Sequence, residues 1–353
     1  MKDELRPYPG RAATVVRMVV ATAITMLIVM AFRIPGAALG VFYVLVLSRE
    51  NPRITVRDGL SILVANAAGV AVVLTAMNVF GDYPLTHFLL VSLSFFVVFF
   101  VTRTFASYSL AFGFSIIIAA ALSIWDRPYP AGLHVQDTLW TGFGIVLGTL
   151  VTIATELALQ GGRADRGAEG AASGKESAWP ARLFIDDAFS NPAYVAYALK
   201  GCLAATTCYV IYSALDWPGI AVSTATCIIT TPLFNSKSPM FFIGSAAQRL
   251  ALRLSGSFTG AVILAIGSQV FLLPYLDVTG LTIWFLMVTS VAAWFATSGP
   301  GLSYFGRQLA LGFYLAMFQT FGAGDSLVVS RDRVIGIWLG LLVMWLVFDV
   351  GWT

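Results

Sequence analysis

The chain has 353 residues, 58% hydrophobic and 11% charged, with a mean hydropathy of +0.83 and a net charge of +3. A water-soluble fold needs roughly 25% charged residues to solvate its surface, so lipid must replace water around most of this molecule. The small positive balance comes without a basic patch interleaved with aromatics, and no nucleic-acid partner is expected.

Met1 to Arg11 is polar and too basic to span, and the run that follows has no small-residue cleavage site. It reads as a retained first helix, not a cleaved signal. Twelve apolar stretches then follow, six per half, near 14–32, 36–48, 59–80, 86–101, 105–125, 138–159, 195–215, 219–234, 250–272, 281–297, 302–321 and 334–350. A spanning helix takes about 20 residues. Backbone amides in hydrocarbon need internal partners, and no period-2 alternation is present, so helices are predicted and not barrel strands. The fold class is therefore all-α integral membrane, with about 12 transmembrane helices.

Arg17 to Gly36 recurs 183 residues later as Lys200 to Gly219, with Ala21/Ala204, Ile28/Ile211, Ala31/Ala214, Pro35/Pro218 and Gly36/Gly219 identical. Leu110-Ala111 and Gly113-Phe114 match Leu309-Ala310 and Gly312-Phe313, and Gly144-Ile145 with Leu147-Gly148 matches Gly336-Ile337 with Leu339-Gly340. The chain reads as two six-helix membrane repeats, 1–160 and 192–353, joined by a Gly-, Ala- and Ser-rich cytoplasmic linker, 161–191. That linker is too short for a folded domain. The chain stops at Thr353, a few residues past the twelfth stretch, so function is expected to reside in the membrane part.

With the N-terminus cytoplasmic, seventeen of the twenty-one Lys and Arg residues fall on the cytoplasmic side, and Arg33, Arg127, Arg331 and Arg333 fall outside. That bias predicts both termini in the cytoplasm. Both halves then share one orientation, so the repeats are parallel, related by an axis along the membrane normal.

Trp217-Pro218-Gly219-Ile220, then Thr224, Thr226-Cys227 and Ile229, then Arg249, Arg253, Gly256 and Gly260 resemble the second membrane block of the fusaric-acid-resistance and aromatic-acid-exporter (FUSC) family. Gly10-Arg11-Ala12-Ala13 through Arg17 to Pro35 is similar to that family's opening block. The resemblance implies an inner-membrane pump component working with a periplasmic adaptor and an outer-membrane channel, with aromatic carboxylic acids and related drugs as substrates. The chain departs from the family pattern in lacking large cytoplasmic regions after each membrane half.

Four groups of residues are candidates for a site. The first is the pair of short helices beginning at Pro35-Gly36 and Pro218-Gly219, since corresponding broken segments in two repeats point to a transporter's binding site. The second of these carries Ser223, Thr224, Thr226, Thr230 and Thr231, with Pro232 and Asn235 closing it. They would line a pathway, or else bond back to their own helix and glue helices together. Arg249, Arg253 and Arg307 form the third group, whose planar forks suit carboxylates at a cytoplasmic mouth. Their blander reading, shared with Arg17 and Lys200, is headgroup contact and topology control. The fourth is Glu156 and Asp349, acids late in the sixth and twelfth helices, which would couple transport to protons or pair with Arg253 or Lys200. Each follows a G-x-x-x-G that permits close helix contact.

His87 and His134 read as ordinary outer surface, and most Trp and Tyr residues, Trp125 included, as interface belts. Phe95, Phe96, Phe99 and Phe100 would line a path for an aromatic acid, or else, on the blander reading, are lipid-facing bulk. Cys202, Cys208 and Cys227 read as buried apolar residues, with no disulfide or metal site, and no cofactor is expected. No nucleophile motif and no ATP-binding G-x-x-x-x-G-K-[S/T] is present, so an enzyme is not expected. The function that follows is an exporter of aromatic or organic acids or drugs, driven by the proton gradient. The alternative is a passive organic-anion channel, since the six-helix unit also resembles a plant channel family. The expected partners are the lipid bilayer and an organic-anion substrate, with a homo-oligomer left open.

Overall fold

The computed structural model describes residues 9–49, 51–81, 83–127, 130–159, 182–230, 246–319 and 323–350. The expected features at Met1 to Arg6, Tyr129, most of the linker, Thr231 to Lys237 and Trp352 lie outside them. Among the described residues there are twelve helices, one for each predicted stretch. They are α1 (Arg11–Phe32), α2 (Ala37–Leu47), α3 (Pro52–Phe80), α4 (Pro84–Thr104), α5 (Tyr108–Trp125), α6 (Ala131–Ala158) and α7 (Pro192–Ala214). Then come α8 (a 3-10 turn Pro218–Ile220 leading into Val222–Thr230), α9 (Ala246–Ser257, continuing through Phe258–Ile266 to Gly267–Phe271), α10 (Val278–Ala296), α11 (Pro300–Met317) and α12 (Leu327–Trp345). Nine of the described helices are long and apolar enough to cross a membrane.

The helix starts are written locally. Asn51 Oδ1 accepts from the Arg53 amide at 3.0 Å ahead of Pro52, and Asn191 Oδ1 accepts from Ala193 at 3.0 Å ahead of Pro192, so α3 and α7 share one Asn-Pro cap. An Asn side chain satisfies an orphan amide there, and Pro has none to satisfy. The predicted stretches at 59–80 and 138–159 begin seven residues later than α3 and α6. Hydropathy marks only the part in hydrocarbon. Helical hydrogen bonding continues into the polar turns that carry Arg53, Arg57 and Asp58, or His134 and Asp137.

Helix contacts recur between the halves. α3 packs on α5 as α9 packs on α11, and α2 on α6 as α8 on α12. Across the halves, α1 meets α10 while α7 meets α4, and α2 meets α11 while α8 meets α5. The centre of the molecule is thus α2, α5, α8 and α11, and the remaining helices surround it with exposed apolar residues such as Leu27, Leu89, Leu93, Leu203 and Ile283. Those side chains are the lipid face, which needs no polar covering.

The two G-x-x-x-G pairs serve the short helices. A Cβ on Gly148 would collide with the Gly40 carbonyl of α2, and one on Gly340 with the Ser223 carbonyl of α8. Backbone contact at this distance replaces hydrophobic driving force, which is weak between helices in lipid. At about 1.5 Å per residue, the 11-residue α2 covers roughly half of a 30 Å hydrocarbon layer and is buried along Val41 to Leu47.

Phe95 and Phe99 correct an expectation. They are buried, and Phe99 sits over Gly201 where α7 packs on α4, whereas Phe96 stacks on Phe100 at the margin. Trp125 is also core, its Nε1 donating to Thr138 Oγ1 at 3.1 Å.

Candidate functional site

α1, α3 and α5 all rise from the face where the chain starts, called here the N face, to the opposite face. A cavity of about 540 Å³ lies toward the opposite face, between the halves. Its walls are Gly36, Ala38 and Leu39 of the first short helix, Pro218, Gly219, Ala221, Val222, Ala225 and Ile229 of the second, and apolar residues of α5 and α11 such as Ile116, Ile124, Leu315 and Phe318. Polar groups are few: Thr141, Ser123, Gln319, Arg127, Asp332 and Arg333. A volume of several hundred cubic ångströms with mostly apolar walls and a few polar groups is the usual form of a small-molecule site.

The sequence brought Gly36, Pro218 and Gly219 to this cavity, with Pro35 one residue before its wall. Thr224 and Thr226 do not line it. On α8 the spacing of Val222, Ala225 and Ile229 puts one apolar stripe on the cavity, and the hydroxyl residues turn the other way. Thr224 Oγ1 donates to the Ala221 carbonyl at 2.9 Å, and Thr226 packs against Gly340. Thr230 ends the described part of α8, and its side chain lies outside the described residues.

Arg253 and Arg307 lie at the N face instead, some way from the cavity lining. Arg253 is 1% exposed, donating to Tyr304 Oη at 3.3 Å and to the Thr226 carbonyl at 3.5 Å. Both bonds are long, and its Nε has no hydrogen-bond partner among the described residues. Arg307, on the same helix as Tyr304, is within electrostatic reach of Arg49, Tyr108 and Tyr304. The three arginines therefore gather around two tyrosines where α2, α5, α9 and α11 converge. Asp58 faces Arg49 at 3.8 Å and Arg57 at 3.4 Å. Burial pulls the Arg49 guanidinium, in the loop after α2, below its ordinary value, and Asp58 opposes that. Arg49 was missed as a site residue because a loop arginine reads as topology. The Arg249 side chain lies outside the described residues.

The two acids part company. Glu156 is buried, its Oε2 2.7 Å from Arg17 Nε, so its partner is neither Arg253 nor Lys200. Asp349 is half-buried in a π-helical turn, Leu346–Val350, that ends α12.

His87 and His134 are not ordinary surface. His87 Nε2 is 3.0 Å from Asp126 Oδ1, and Tyr212 Oη donates to Asp126 Oδ2, tying α4 and α5 to α7. His134 is buried against Trp125, its Nε2 2.9 Å from the Arg127 carbonyl. Cys208 and Cys227 are buried with their sulfurs 3.6 Å apart, and no disulfide joins them.

The chain is 37% identical over 170 residues to the multidrug resistance protein MdtO of Shigella flexneri, and 37% identical over 168 residues to MdtO of Escherichia coli strain K12. These matches cover 48% and 47% of this chain but only 24% and 23% of the relatives, so the chain spans about a quarter of the length of the curated relatives it matches. No family model matches it, and no solved structure does. These relatives support the resemblance to the fusaric-acid-resistance (FUSC) family, and the chain is an all-α, multi-pass membrane protein that shares about half its length with them.

Proposed function

We propose that this chain is a transporter, not an enzyme, which exports aromatic or other amphipathic organic acids, or drugs, across the bacterial inner membrane. One observation carries the reading: a cavity between the two halves, walled by both Pro-Gly junctions, lies on the side of α2, α5 and α11 opposite an arginine cluster that α9 completes. Its relatives' naming for multidrug resistance supports the substrate class. In this reading residues 1–160 and 192–353 are parallel repeats joined by a cytoplasmic linker at 161–191, and the N face is cytoplasmic. Arg253, Arg307 and Arg249 receive the anion there, and the cavity holds it on the outer side. The proton gradient drives export, with Glu156 and Asp349 as the acids that take part. A periplasmic adaptor and an outer-membrane channel complete the route, as the family resemblance implies.

A cluster of arginines outnumbering the carboxylate beside it also suits a passive anion channel, which is the second reading. Purified protein in liposomes under a set pH gradient separates the two. Uphill movement of an aromatic acid such as 1-naphthoate, abolished by a proton ionophore, supports the exporter. Downhill, ionophore-insensitive current supports the channel, and no flux of either kind refutes both.

A further inference from the structure

The cavity holds a charge that the fold does not use. Arg127 stands just past the end of α5, is exposed, and lines the cavity. Its nearest carboxylate in sequence, Asp126, is taken by His87 and Tyr212. The carboxylate across the cavity, Asp332, is taken by Arg331, with Nη2 to Oδ1 at 2.8 Å, and is pressed against Gly219. Arg333 spends its guanidinium on the Leu315 and Phe318 carbonyls at the end of α11. It remains a positive charge at the wall, within electrostatic reach of Arg127. Among the described residues the Arg127 guanidinium has no ion-pair partner. The first turns of α2 and α8 also open on the same space, and helix N-termini favour negative charge.

We propose that this cavity is a carboxylate subsite, in which Arg127 anchors the anionic head of the substrate and Leu39, Ile116, Ala225, Ile229 and Phe318 hold its apolar body. The inference rests on the transport reading and gives it an outer site distinct from the N-face arginines. A planar fork facing a mostly apolar chamber selects an amphipathic monoanion over a neutral isostere, because only the anionic head supplies the guanidinium with a counter-charge and a bidentate partner.

Calorimetric titration of the purified protein with 1-naphthoate and with 1-naphthamide tests it. The wild type should bind the acid more tightly than the amide. Arg127→Gln should weaken the acid by about tenfold to a hundredfold, the range of one charge-assisted hydrogen bond, and leave the amide unchanged. Arg127→Lys should fall between, which keeps the test meaningful if Arg127→Gln is poorly folded. Equal acid affinity in Arg127→Gln overturns the subsite, as does loss of acid binding in Arg253→Gln alone. A wild type that binds neither probe also overturns it, yet carboxylate flux by that same protein in liposomes would leave the broader transport reading standing.

Discussion

Arg33 and Asp216, 183 residues apart, are the two non-glycine residues with positive φ among those described, at 51° and 47°. Each ends the first helix of its half. The following amide, of Ile34 or Trp217, returns to the Val29 or Tyr212 carbonyl at 3.0 and 2.9 Å. The same helix stop is thus built twice, and both times Pro and Gly follow. Left-handed backbone costs a residue with a Cβ roughly 1–2 kcal/mol. Arg33→Gly and Asp216→Gly should each be neutral or raise stability by up to about 1 kcal/mol, since relief of strain is offset by the freedom of glycine in the unfolded chain. Thermal unfolding of the two variants in one detergent should show shifts of the same sign.

The Arg17–Glu156 pair bridges the start of α1 and the end of α6. Removing one member of a buried pair costs about 3–5 kcal/mol, because the other is left charged and unpaired. Glu156→Gln should therefore lower Tm strongly, and Arg17→Gln added to it should restore much of the loss. If Glu156 couples protons, flux in Glu156→Gln should also lose its dependence on the pH gradient. A destabilised variant whose remaining flux is still gradient-driven assigns Glu156 to structure alone.

Arg253→Lys keeps the charge but not the fork. Apparent affinity for a carboxylate substrate in liposomes should fall by about 1.5–3 kcal/mol, and Arg249→Lys should cost less. Unchanged transport at low substrate concentration, with normal folding and insertion, would make Arg253 a residue that only ties α9 to α8 and α11.

The topology reading predicts opposite accessibility for the linker and for the loop before α10. Cysteine at Ser173 should react with an impermeant thiol reagent only in opened cells, and cysteine at Tyr275, which is 86% exposed, should react in intact ones. The reverse pattern would refute N-in, C-in.

The helices were legible because a span must be apolar along about 20 residues, a signal that survives in one sequence. The two short helices were legible for the opposite reason, as apolar runs too short to cross. Side-chain assignments failed where partners come from distant helices. His87, Asp126 and Tyr212 lie on three helices, 39 and 86 residues apart in their pairwise bonds, and nothing local marks them as a set. Of the two readings open for the α8 threonines, Thr224 takes the one in which a hydroxyl satisfies itself on its own backbone, and the apolar stripe is left to face the cavity. Arg127 and Arg333 looked like the minority of a topology count, and only the packed structure separates the one that caps a helix from the one that does not.

The cavity between the halves is the centre of this account, and cysteine modification tests it most directly. With Cys202, Cys208 and Cys227 replaced by Ala, single cysteines at Leu39 and Ala225 would face the cavity from the two short helices. Treatment with a bulky anionic methanethiosulfonate should block 1-naphthoate flux in liposomes at both positions, and excess 1-naphthoate should slow the reaction. The same reagent on cysteine at Leu93, which is 59% exposed on the lipid face, should leave flux unchanged. Full modification at Leu39 and Ala225 with undiminished flux would contradict the account, since a route through the cavity cannot carry substrate past a filled wall.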